Sequence, residues 1–282
     1  MTMTTPLRER APAKVNLCLF LGPTRADGLH EIVTVVEPLS LGDELELELA
    51  LDPSARADTV HCPGVPEPNL AGSALAAFRA AAAWNGAPVR VTIDKRIPIA
   101  AGMGGGSSDA AATLRLAARA AGRGGDLLAE IAPRVGSDVP VLLGNEPALV
   151  SGAGELVHPI GPLRPHGLVV LPSDYQVSAG EVYAEADRLG LARSDDDLAQ
   201  RREDVERALA RGELPPLVND LEPAARSLCP SIERGLAALR EAGTERAMVT
   251  GSGPTVFGVF STSGAAREAA ARIDGAIEVV PL

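Results

Sequence analysis

The stretch PIAAGMGGGSS, from Pro98 to Ser108, sets four glycines within five residues directly before two serines. It follows Val89-Arg90-Val91-Thr92-Ile93-Asp94, whose alternation has the two-residue period of a half-buried strand. After it, Ala110, Leu114, Ala117, Ala118 and Ala121 recur on one helical face, and Gly122 is a natural stop. The local order is strand, glycine loop, helix. Such a loop is either a turn or joint, or a cradle for an anion. A helix N-terminus exposes unpaired N–H groups and a partial positive charge, and glycine lets the backbone approach a ligand without obstruction by Cβ. Ser107 and Ser108 can cap the helix or offer hydroxyls to phosphate oxygens or a magnesium ion.

Spelling excludes two common cradles. A P-loop requires a lysine after its last glycine, and none follows here. A dinucleotide fingerprint requires G-x-G-x-x-G, but Gly102-Met103-Gly104-Gly105-Gly106-Ser107 ends on serine, and neither Gly152-Ala153-Gly154 nor Gly251-Ser252-Gly253 completes it.

Working outward, Glu44 to Leu49 alternates as a second strand, and helical patterns run near 71–83 and 126–132. Leu168 to Pro172 reads as a short buried strand opening a new unit, and further helical patterns lie near 178–189, 200–211, 231–242 and 264–273. Two strand-like runs flank a turn between Ala247 and Phe260. The acidic run Ser194 to Asp197 reads as a solvated loop or a helix start. Strands and helices mix without strict βαβ alternation, which predicts an α+β fold. The prolines at 159, 162 and 165 mark a boundary between domains 1–160 and 161–282.

With 282 residues and 46% hydrophobic content, the chain can build a sizeable core. No run approaches the roughly 18 apolar residues of a membrane span. The first ten residues lack a signal-peptide pattern, and a cytoplasmic protein without a membrane partner is expected. Cys18, Cys62 and Cys229 are too few and too widely spaced for a disulfide framework or a zinc site. A net charge of -11 argues against nucleic acid as a partner, whereas a small anionic ligand needs only local positive charge. Of 26 basic residues only Lys14 and Lys95 are lysines.

Three ordered stretches resemble the motifs of the GHMP kinases: Pro12-Ala13-Lys14-Val15-Asn16-Leu17, Pro98 to Ser108, and Gly251-Ser252-Gly253-Pro254-Thr255-Val256-Phe257. They span nearly the whole chain. The resemblance implies a two-domain α+β fold, with an N-terminal domain like ribosomal protein S5, a ferredoxin-like C-terminal domain, and an active site in the cleft between them. It also implies ATP and Mg2+ as cofactors and a small-molecule alcohol as acceptor. Arg25 to Glu31, Ile93 to Pro98, Gly136 to Pro140 and Val218 to Glu222 further resemble the branch whose acceptor is the 2-hydroxyl of cytidyl-diphospho-methylerythritol. A GHMP kinase with another alcohol substrate and a catalytically silent ligand-binding regulator are the alternative readings. The presence of both Lys14 and Asp138 favours activity. A monomer or weak homodimer is expected.

The same resemblance implies roles. Asp138, in Gly-Ser-Asp-Val-Pro, orients or deprotonates the alcohol, and Lys14 stabilises the charge developing beside it. Pro98, Ile99, Ala100, Ala101, Gly102, Met103, Gly104, Gly105, Gly106, Ser107 and Ser108 form the ATP loop, with Lys95 and Asn69 lining the nucleotide pocket. Alternation along Lys14-Val15-Asn16-Leu17 puts Asn16 on the face of Lys14, which makes Asn16 a substrate contact. The chain departs from the family at Leu29, where a tyrosine usually stacks on cytosine. Tyr183, at the place of a second base-facing aromatic, is expected on one side of the base and Leu29 on the other, with His30 bonding its edge.

Overall fold

The computed structural model describes residues 5–50, 56–99 and 101–282, so Ala100 of the predicted ATP loop lies outside the described residues. The chain divides into two compact units, residues 1–13, 41–99 and 104–145 in the first and 14–40, 100–103 and 146–282 in the second. Strands β1 (Leu7–Thr24) and β2 (His30–Leu49) each supply residues to both units.

In the first unit, the half of β2 that reads Glu-Leu-Glu-Leu-Glu-Leu pairs with a neighbour, as its period predicts. β3 (Thr59–His61) precedes helix α1 (Leu70–Ala81), and β4 (Val89–Asp94) then runs antiparallel to β2, from Glu44 opposite Asp94 to Leu49 opposite Val89. β3 lies parallel to β4 on its other side. Helix α2 (Gly105–Ala121) is the first regular element after the glycine loop, followed by α3 (Asp126–Val135) and the single turn α4 (Val139–Leu142). Ala110, Leu114, Ala117 and Ala118 of the predicted face of α2 are buried and Ala121 half-buried, but Ala111, Ala112 and Leu116 are buried too. Small side chains allow this close packing, and α1 contributes Ala74, Leu75 and Phe78 to the same core. Gly122 ends α2 as expected.

In the second unit, β5 (Ala148–Gly152) pairs antiparallel with Ile32–Val36 of β2 and with β6 (Leu156–Pro159). A separate sheet begins with β7 (Gly167–Leu171). Helices α5 (Ala179–Leu189), α6 (Asp195–Ala210), α7 (Glu222–Leu228) and α8 (Ile232–Glu241) follow, then β8 (Arg246–Val249), β9 (Val256–Phe260), α9 (Ser263–Ala270) and β10 (Ile277–Val279). The sheet order is β10-β7-β9-β8, with every pair antiparallel. This is the split β-α-β-β-α-β plan of a ferredoxin-like domain, with α5 to α8 forming its first crossover. A continuous apolar core joins Leu19 and Leu21 of β1, Val169 of β7, Leu236 and Leu239 of α8, and Ala266 of α9. The acidic run at 195–197 opens α6: Ser194 caps it by accepting the N–H of Asp197, and three aspartates in the first turn suit the positive helix end. The mixed α+β fold read from the sequence is the fold observed.

Candidate active site

In the first unit, α2 starts on Gly104, whose φ of +72° is left-handed, and no side chain caps it. Its first N–H groups have no acceptor within the helix, so they and the positive end of the dipole face the glycine loop. Ser107 and Ser108, which could have been caps, sit inside the first turn. Ser107 is half-buried, whereas Ser108 is fully buried and its hydroxyl has no hydrogen-bond partner among the described residues. Pro98 is half-buried, and Ile99 is exposed. Asn69 caps α1, its Oδ1 accepting the N–H of Gly72 at 2.9 Å. The loop bearing Asp138 runs beside the same helix start, since a Cβ placed on Gly136 would lie 4.0 Å from the Ser107 hydroxyl. Asp138 itself is half-buried at the N-terminus of α4.

Lys95 is held by two carboxylates, its Nζ donating to Asp43 Oδ2 at 2.5 Å and to Asp109 Oδ2 at 2.8 Å. Burial opposes the Lys95 charge, but the two carboxylates outweigh it and raise its pKa. Burial pushes the Asp109 carboxyl up to about 7, against the pull of Lys95. Neither aspartate was singled out from the sequence. Asp43 sits in an acidic alternating strand, where it reads as one more solvent-facing charge, yet it is fully buried.

The second unit brings together residues from all three motif stretches. Lys14 is buried, and its Nζ donates to Asn16 Oδ1 at 2.7 Å and to the carbonyl of Gly102 at 3.3 Å. The Lys14 N–H donates to the Met103 carbonyl at 3.0 Å. Asn16 is fixed in turn, its side-chain amide donating to Thr34 Oγ1 at 2.8 Å and its backbone N–H to Thr250 Oγ1 at 3.0 Å. The shared face predicted for Lys14 and Asn16 is therefore real, although β1 is buried on both faces here. Ala101 and Met103 are buried, so what they can offer a ligand is main chain. A Cβ on Gly251 would lie 3.1 Å from Asn16 Oδ1 and 3.3 Å from Lys14 Nζ, so this turn must be glycine to approach them. Asn219 holds the turn, donating to the carbonyls of Val249 and Gly251 at 2.8 Å each.

The three residues expected at the base occupy one region of the second unit. Leu29 is 53% exposed, at the end of a turn in which Arg25 N donates to its carbonyl. His30 stacks on Tyr183 with ring centroids 5.4 Å apart and 26° between the planes. His30 Nδ1 donates to the Gly22 carbonyl at 3.2 Å, and Nε2 stands 3.1 Å from Asp187 Oδ1. Both ring nitrogens face protein acceptors, so bonding a base edge through this side chain requires displacing one of them.

Comparison with known proteins supplies the family. The GHMP kinases N terminal domain matches residues 69–145, and the GHMP kinases C terminal domain matches 196–277. The 4-diphosphocytidyl-2-C-methyl-D-erythritol kinase of Anaeromyxobacter sp. (strain K) is 44% identical over 278 residues, covering 94% of this chain and 84% of that protein. The chain belongs to that family of GHMP kinases. The kinase of the same description from Deinococcus radiodurans is 38% identical over 268 residues, covering 93% of this chain and 87% of the relative. A crystal structure of 4-(cytidine 5'-diphospho)-2C-methyl-D-erythritol kinase superposes with a TM-score of 0.78 at 33% identity, covering 97% of this chain and 98% of that one. Homoserine kinase from Cytophaga hutchinsonii shares the fold, with a TM-score of 0.72 at 15% identity, covering 100% of this chain and 96% of the other. As a GHMP kinase, the protein is an ATP-dependent small-molecule kinase.

Proposed function

We propose that this kinase transfers the γ-phosphoryl group of ATP to the 2-hydroxyl of 4-diphosphocytidyl-2-C-methyl-D-erythritol, a step of non-mevalonate isoprenoid precursor synthesis. The observation that carries the reading is the start of α2, a 17-residue helix opening uncapped on a left-handed glycine. Phosphoryl transfer asks a protein for positioning and charge stabilisation more than for covalent chemistry. Backbone N–H groups at a helix N-terminus supply both to the donor phosphates.

In this reading Asp138 orients the attacking hydroxyl and takes its proton late, because a tertiary alcohol is a poor acid. Lys14 stabilises negative charge as it develops, and its bonds to Asn16 and the Gly102 carbonyl tie that charge to the ATP loop. A magnesium ion bound with ATP would need only one or two oxygens from the protein. The buried, unpartnered Ser108 hydroxyl and the neighbouring Ser107 fit that demand, and the ion would neutralise charge on the transferring group. Tyr183, His30 and Leu29 form the proposed cytidyl contact, with Leu29 giving apolar cover where stacking is usual. The proposed domain boundary at 160/161 falls between the two family matches. A cytoplasmic monomer or weak homodimer completes the proposal. No described helix is long and apolar enough to cross a membrane.

The purified chain, given ATP and magnesium, should release ADP with the cytidyl alcohol and not with homoserine, mevalonate or galactose. Turnover of a different alcohol alone would refute the substrate and leave the family standing.

A further inference from the structure

Asp43 is the most deeply enclosed charge beside the glycine loop, with no exposed surface. Both of its oxygens are used. Oδ1 accepts the backbone N–H of Arg96 at 2.6 Å and of Ile97 at 2.8 Å, the last two residues before Pro98. Oδ2 accepts Lys95 Nζ at 2.5 Å. Lys95 then reaches Asp109 in the first turn of α2 at 2.8 Å. A Cβ on Gly105, the first residue of α2, would stand 3.1 Å from Ile97 Cγ2 and 3.3 Å from Lys95 Nζ, so the assembly lies directly against the helix start. One carboxylate thus fixes the entry to the loop and, through one ammonium, its exit.

We infer that Asp43 is a positioning residue for the nucleotide, setting the loop between Ile97 and Gly105 through two backbone N–H groups and the Lys95–Asp109 bridge. The inference rests on reading Pro98 to Ser108 as the ATP loop. A lysine ammonium has three donors, and the two carboxylates take two of them, so the direction of the third is fixed. Asp109 Oδ1 is buried without a hydrogen-bond partner among the described residues, and the Asp109 Oδ2 bond to Lys95 ties the helix start to the clamp. Loss of Asp43 charge would leave Lys95 with one carboxylate and allow it to turn away from the helix start.

Asp43→Asn tests this, because the amide oxygen still accepts the two N–H groups while its NH2 cannot accept from Lys95. Calorimetric titration with ADP should show about tenfold weaker binding, short of the roughly hundredfold that an ångström of misplacement can cost. KM for ATP should rise in parallel, with KM for the alcohol unchanged. A merely structural role would instead lower the active fraction and leave both KM values alone. Should D43N fail to fold, Asp109→Asn decides, with an expected two- to fivefold weakening of ADP. Wild-type ADP affinity in a folded D43N, or in D109N where D43N does not fold, overturns the inference. Failure of the wild-type chain to bind ADP would overturn the ATP reading itself, and the inference with it.

Discussion

Gly102→Ala tests how closely Gly102 is held against the Gly251–Gly253 turn. Gly102 has φ +71°, and an added Cβ would stand 2.9 Å from the Gly253 carbonyl carbon and closer still to its oxygen. Two costs add. A left-handed non-glycine residue costs about 1–2 kcal/mol, and forcing a methyl against backbone that cannot rotate away adds about 1–3 kcal/mol. The sum, about 2–5 kcal/mol, lowers the melting temperature by about 4–15 °C in a chain of this size. Gly28→Ala separates the terms: its φ is +82°, but an added Cβ meets nothing within 4 Å, so only the first cost applies. The expected order in differential scanning calorimetry is wild type, then G28A lower by about 2–6 °C, then G102A clearly below both. Relief of the contact moves the Gly102 carbonyl that accepts Lys14 Nζ, so kcat should also fall about tenfold or more in G102A. Equal melting of G28A and G102A, with wild-type turnover in the latter, would refute the close approach and the coupling to Lys14.

Asp138→Asn should lower kcat by about 10²–10⁴-fold while KM for ATP stays within about threefold, as steady-state kinetics with saturating alcohol will show; equal loss of nucleotide binding would assign Asp138 to structure. His166 is buried, with Nδ1 2.9 Å from the Arg164 carbonyl and Nε2 3.0 Å from Glu37 Oε2; burial opposes its charge, but these acceptors outweigh it and raise its pKa above the ordinary 6.5. A raised folded pKa stabilises fully below the unfolded value and less as pH climbs through the folded one, so the melting-temperature gap between wild type and His166→Gln should be widest near pH 6 and narrow above it.

Much of the fold was legible because its cues are local. Period-two alternation marked β4 and the paired half of β2, and Ser194 before three aspartates left open the helix start that α6 confirms. The core-facing repeat along α2 marked that helix, and the short apolar run at 168–172 located β7. Helix α7 went unread because its seven residues span barely two turns, too few for a period to show. The strand pair β5 and β6 was missed because β5 is buried along its whole length and shows no alternation. At the candidate site, Lys14, Asn16 and the glycine loop were singled out by their spelling. Asp43 was not, because a carboxylate in an acidic strand carries no local sign of being buried; its meaning depends on Lys95, 52 residues away. Asp187 was equally silent, since its contact with His30 depends on the turn of α5 that carries Tyr183.

The scarcity of lysine becomes intelligible once both lysines are placed. The chain uses arginine at 24 of its 26 basic positions, yet neither exception sits where a planar fork could replace it. Lys95 must donate in separate directions to Asp43 on a strand and Asp109 on a helix, and its Nζ already lies 3.3 Å from where a Gly105 Cβ would be. A guanidinium presents its donors in one plane, which suits two carboxylates on different elements less well than separately directed ammonium donors do. Lys14 likewise delivers one compact ammonium to Asn16 Oδ1 and the Gly102 carbonyl beside a glycine turn. Lys95 is paired with Asp43 and Asp109, so its charge is answered within the protein. On the proposed reading, attraction at the loop comes from the N–H groups and dipole of α2, which act within about the first turn. On the proposed reading, a protein of net charge -11 holds an anionic donor by contact geometry, and small errors in that geometry, such as those made by D43N or G102A, should be felt first in nucleotide affinity and turnover.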